Sequence, residues 1–155
     1  MDLDTNNWME AALQLGASQV CLTVRHVDGF ALWPTRANNY SVAASPWRAG
    51  KGDVVKDFVA SARQFGISPC FYIILGFDVF SNQSGVSAAE YLAQQETALT
   101  ELLTGYGPID RLWWDNYAIG CCQPVTHAAW FLLRGWRDPG AQRHYLSLPK
   151  LEPND

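Results

Sequence analysis

The chain has 155 residues, enough for one domain with a real core, and its composition carries no bias toward disorder. Net charge is −4 with no basic stripe or Lys/Arg cluster, which argues against a nucleic-acid partner. No apolar run is long enough for a membrane span, and the acidic start Met1-Asp2-Leu3-Asp4 does not read as a secretory signal, so the compartment stays open.

In chain order, Asn7 is expected to cap a helix from about Trp8 to Leu15, with Gly16 as its stop. Gln19 to Val24 reads as a buried strand, and Cys21 within it as a small core residue. The stretch from His26 to Lys51 is long, irregular and rich in Pro, Asn, Ser and Trp; a loop of that length in a compact domain is usually functional. Asp53 opens a helix in which Val54, Val55, Phe58, Val59 and Ala62 recur at helical spacing, up to Phe65-Gly66.

Cys70 to Leu75 is a second strand, continuously apolar, and Cys70 again reads as a core thiol. After a loop from Gly76 to Val86, Ser87 and Glu90 form a capping box for a helix through Tyr91, Leu92, Leu99 and Leu102, ending near Gly105. A third strand is expected over roughly Asp110 to Trp114, and a last helix over Val125 to Leu133. Strands alternating with helices imply parallel βα units with right-handed crossovers. Three such units form either a small open sheet or three consecutive staves of an eight-stranded barrel.

The long polar loops all follow strands and therefore share the C-terminal rim, where α/β active sites assemble. His26 lies just past the first strand, as a structural side chain or a functional one, with Arg25 and Asp28 beside it to set its tautomer and orientation. Asp28-Gly29 equally suits a simple turn. Asp115 leaves an apolar strand end, so it is either a loop-bonding carboxylate or one aimed into a cleft as nucleophile or acid/base. Asp78 is a weaker third carboxylate, and Tyr72 points inward as a donor or packs in the strand.

Seven tryptophans are many for this length. Core packing accounts for most of them, but flat rings also suit the apolar face of a sugar, which singles out Trp33 and Trp47 in the first rim loop. No dinucleotide fingerprint, phosphate loop, zinc-protease helix or nucleophile elbow occurs. His26, His127 and His144 lack ligand spacing and the four cysteines form no CxxC pair, so neither metal nor cofactor is expected.

The run His26-Val27-Asp28-Gly29-Phe30-Ala31-Leu32-Trp33 resembles the His-His-Asp-Gly-Phe segment of the α-L-fucosidases of glycoside hydrolase family 29. Trp8 to Ala17, Ser45-Pro46-Trp47 and Gly50-Lys51-Gly52-Asp53 resemble the flanking text. Glu101 to Ile109 and Leu112-Trp113-Trp114-Asp115-Asn116 resemble the stretch that carries the nucleophile. The likeness spans roughly residues 4 to 120, in the same order and at family-like spacing.

The resemblance implies a partial (β/α)8 catalytic domain over 1–155 and retaining hydrolysis of terminal α-L-fucosides, with a fucosylated glycan or glycoside as partner. It matches Asp115 to the nucleophile, His26 to the first of two sugar-binding histidines, and Tyr72 to the region of an active-site tyrosine. Members of this family are commonly secreted or lysosomal. The chain departs from the pattern at Val27, where the second histidine stands, and after Trp136, where no counterpart of the acid/base glutamate follows; Glu152 sits in a polar tail. Retaining chemistry needs that second carboxyl. A non-catalytic fucose- or glycan-binding remnant and a structural α/β fragment are the alternative readings.

Overall fold

The structure is a computed structural model that describes residues 3–76 and 78–115. The expected helix over 125–133, Cys121, Cys122, His127, His144 and Glu152 lie outside the described residues. Helix α1 (Thr5–Gln14) leads into strand β1 (Gln19–Arg25), α2 (Val54–Gln64), β2 (Ser68–Ile74), α3 (Val79–Gln83), α4 (Ala88–Gly105) and β3 (Arg111–Asp115). The strands are parallel and ordered β1-β2-β3. This is the arrangement of three neighbouring barrel staves, unclosed among the described residues.

Local chemistry sets the helix starts. Asp53 accepts the Lys56 N–H at 2.9 Å and caps α2. Ser87 and Glu90 make both bonds of the expected capping box on α4. On α1 the cap is Asp4, not Asn7: the Asp4 carboxylate accepts the Asn7 N–H at 3.1 Å, and the helix starts a turn earlier than its apolar pattern suggests.

Strand alternation divides the sheet into two faces. Val20, Leu22, Val24, Phe71, Ile73 and Leu112 turn toward Met9 of α1, Val55, Phe58 and Ala62 of α2, and Leu99 and Leu102 of α4, forming the core. The opposite face carries Cys21, Thr23, Tyr72, Trp113 and Asp115. Cys21, Thr23, Trp113 and Asp115 are exposed there, while Tyr72 is half-buried.

Two expectations fail on this sheet. Cys21 and Cys70 are not separate core thiols: they sit opposite each other in the β1–β2 register and form a disulfide. Period-two alternation puts Cys21 on the helix-distal face, and a strand read without its register cannot be paired. The second concerns Arg25. Thr23 pairs with Tyr72, yet Arg25 pairs with Ile73, so the register slips by one residue between them. That bulge turns Arg25 to the helix side of the sheet.

The long loop after β1 is folded rather than loose. Ala31 bridges to Ser41, and two short 3-10 turns follow at Val42–Ala44 and Trp47–Gly50. Arg48 and Ala49 adopt left-handed backbone (φ 50° and 55°), an uncommon and strained conformation for side chains of this kind. The Trp47 ring occupies the space a Cβ at residue 52 would take, within 1.9 Å, so only glycine fits there.

Candidate active site

The strand ends bring three of the predicted residues together. His26, just past β1, stacks on Tyr72 of β2 with ring centroids 5.6 Å apart and planes 16° from parallel. The Tyr72 hydroxyl donates to Asp115 Oδ2 at the end of β3, at 2.6 Å. One imidazole, one phenol and one carboxylate thus line up across the three strands on the open face.

Electrostatics keep Tyr72 a donor. Burial, the Asp115 hydrogen bond and the Asp115 charge together push its phenol up to about 12. It therefore holds its proton throughout the neutral range, and the bond occupies only one oxygen of Asp115. The other carboxylate oxygen lies outside that bond.

Trp113 completes the cluster and is the member that sequence reasoning missed. Its ring meets Tyr72 edge-to-face at 5.4 Å and is 60% exposed. The signal existed: Asp115 and Trp113 are two residues apart in one strand and must share a face.

Trp33 and Trp47 are placed differently. Trp33 is 1% exposed within the core, and its indole N–H donates to Glu101 at 2.9 Å. A ring so covered has no face to offer a sugar. Its edge forms part of a cavity of about 630 Å3 that Asp53, Lys56, Arg63, Glu101 and Tyr106 also line. There Glu101 also accepts from Thr35 and Arg36, and although burial opposes it, these donors hold its carboxyl below its ordinary pKa. Trp47 is half-buried between the Gly52 backbone and the Arg48 guanidinium, which lies 4.6 Å from its ring centroid.

The neighbours of His26 also depart from expectation. Arg25 is buried on the other side of the sheet and donates to the Ile74 carbonyl and to Gln95, not to the imidazole. Burial lowers its pKa, opposed by the charges of Tyr91, Asp78 and Asp28. Asp28 accepts the Phe30 N–H, and the Gly29 N–H donates to His26 O with Gly29 at φ 89°, which makes Asp28-Gly29 a turn. Asp78 is 2% exposed and caps α3 through the Ser81 N–H at 2.7 Å.

Among the described residues, no cluster of three or more His, Cys, Asp or Glu side chains is placed to hold a metal ion, and no helix is long and apolar enough to cross a membrane.

The sequence profile of the alpha-L-fucosidase family matches residues 1–132. Alpha-L-fucosidase 1 of Arabidopsis thaliana is 39% identical over 114 residues, covering 74% of this chain and 22% of that protein. A protein of Oryza sativa subsp. japonica, provisionally named alpha-L-fucosidase 1, is 40% identical over 140 residues, covering 84% and 25%. The chain thus spans about a quarter of the length of the curated relatives it matches.

Among solved structures, a glycoside hydrolase 29 family member from an unknown rumen bacterium superposes with a TM-score of 0.67 at 33% identity, over 77% of this chain and 21% of that one. A family 29 alpha-L-fucosidase from Bacteroides thetaiotaomicron gives 0.68 at 25% identity, over 85% and 32%. The chain belongs to the alpha-L-fucosidase family, glycoside hydrolase family 29.

Proposed function

We propose that this chain carries the nucleophile side of a retaining α-L-fucosidase site. The observation that carries the reading is the exposed Asp115 carboxylate, held through one oxygen by the Tyr72 hydroxyl at 2.6 Å. Asp115 attacks the anomeric carbon of a terminal α-L-fucoside, and the glycosidic oxygen leaves with a proton from a general acid. Water then opens the glycosyl-enzyme and regenerates the carboxylate.

The other cluster residues have matching roles. His26 donates to or accepts from sugar hydroxyls while its ring rests on Tyr72. Trp113 offers an apolar wall to the C–H face of the sugar. Val27, in place of a second histidine, supplies no side-chain hydrogen bond to the sugar.

Retaining hydrolysis needs a second carboxyl about 5–5.5 Å from the first. Of the other rim carboxylates, Asp78 caps α3 from a buried position, and Asp28 holds its turn through one oxygen. The family role is hydrolytic; turnover by this chain as it stands depends on that second carboxyl.

The test is hydrolysis of an aryl α-L-fucoside by the parent chain beside Asp115→Asn, with circular dichroism confirming that both fold. Turnover present in the parent and lost in the variant supports the nucleophile assignment. Turnover that survives in Asp115→Asn overturns it. Fucose binding without turnover in either protein would favour a glycan-binding remnant.

A further inference from the structure

The end of β1 contains an arrangement that sugar chemistry does not by itself require. Because the β1–β2 register slips between Thr23 and Arg25, the pairing ends at Arg25–Ile73 and no β1 residue lies in register with Ile74. With no β1 residue in register opposite it, the Ile74 carbonyl is a buried acceptor that needs a donor. Arg25 answers it: the bulge turns its side chain inward, and Nη2 donates to Ile74 O at 3.0 Å.

The same nitrogen donates to Gln95 Oε1 on α4, so the guanidinium ties helix, first strand and second strand together. Arg25 is 2% exposed and Gln95 1%. Such a buried cation survives because it is hydrogen-bonded and because Asp78 lies near enough to interact with its charge.

Immediately beyond Ile74, the strand reaches the site. The Leu75 N–H donates to Asp115 O at 3.0 Å, and Ile74 and Asp115 are register partners. The chain of contacts therefore runs from Gln95 to Arg25, to the Ile74–Leu75 peptide, to the backbone of Asp115. Arg25 itself continues directly into His26, whose ring stacks on Tyr72.

We propose that Arg25 is a positioning residue of this site, whose bulge-inverted side chain holds the end of β2 and thereby sets Asp115 and Tyr72 against His26. It touches no substrate. The inference rests on the reading of Asp115 as the working carboxylate, but its test does not need turnover.

Amide hydrogen exchange followed by NMR on the parent chain reads the Leu75–Asp115 bond directly. Arg25→Met removes the donor, and Leu75 exchange should speed by about tenfold or more while amides of Cys70 and Phe71, lower in the same strand, keep their protection. Arg25→Lys keeps one donating ammonium and should recover part of the loss. If Arg25→Met does not fold, Gln95→Met decides, since it removes only the acceptor that braces the guanidinium and should speed Leu75 exchange by a smaller factor. Equal acceleration throughout β2, or an unchanged Leu75, overturns the proposal. Failure of the fucosidase reading is separate and is seen as turnover surviving in Asp115→Asn.

Discussion

Tyr72 reaches Asp115 on a diagonal: its backbone pairs with Trp113, yet its hydroxyl crosses two residues up the neighbouring strand to Asp115 Oδ2 at 2.6 Å. A diagonal contact of this kind suits a long side chain on a parallel ladder, where positions two apart share a face. It couples the ionisation of the phenol to the charge of the carboxylate.

That coupling has a measurable sign. Asp115→Asn removes the charge, so the Tyr72 phenol should fall from about 12 toward its ordinary 10 while the part due to burial persists. Tyrosine ring-carbon NMR titration reads this site by site. The stabilisation that comes with the raised value is present below pH 10 and is lost as pH climbs toward 12, so Tyr72→Phe should show a shallower loss of stability over that window. A Tyr72 titration indifferent to residue 115 would mean that the bond is not made in solution.

Tyr72→Phe also tests the proposed chemistry. A hydrogen bond to a charged acceptor contributes about 1.5–3 kcal/mol, so losing it should reduce kcat/KM on an aryl α-L-fucoside by roughly 10–100-fold in a protein that turns over. Circular dichroism should show little change in fold, since the hydroxyl lies on the open face. A variant with full activity would remove Tyr72 from the site.

Trp33 is expected to act on stability and not on sugar. Its ring is covered by the core, so Trp33→Phe leaves a void and strips Glu101 of an indole donor. Loss of a buried hydrogen bond alone costs on the order of 1 kcal/mol, and the void adds to it. Denaturant unfolding should show that loss, while fucose affinity under native conditions should hold. A fall in affinity with unchanged stability would return Trp33 to the sugar site.

The contrast between Trp33 and Asp115 shows what a sequence can disclose here. Asp115 and Tyr72 follow from strand ends and period-two alternation, both local patterns; Trp113 obeys the same alternation, although sequence reasoning missed it. Asp53 and the Ser87–Glu90 box are equally local, because a cap and its donors are three residues apart. Trp33 is decided by its bond to Glu101 on α4, 68 residues further along the chain, which no window around residue 33 contains. Arg25 is the sharpest case. Uninterrupted alternation would have put it on the open face with Cys21 and Thr23; a one-residue slip, visible only once β1 is paired with β2, sends it into the core.

The Cys21–Cys70 disulfide likewise needs register, and it makes a prediction that separates fold from site. The two cysteines are 49 residues apart, a separation for which a cross-link stabilises by about 2–4 kcal/mol through the unfolded chain. Reduction with a phosphine should therefore lower Tm by roughly 5–15 °C, and Cys21→Ala/Cys70→Ala should start low and ignore the reductant. Alkylation mapping that finds Cys21 as a free thiol in the unreduced protein would sink this. The site should withstand the change. Leu22–Phe71 and Thr23–Tyr72 remain paired above the cysteines; the second of these rungs carries Tyr72, and His26 follows the Arg25–Ile73 rung. Fucose binding well below the lowered Tm should be the same with and without reductant, because the ladder holds the two rings together and the disulfide only limits how far the chain can come apart.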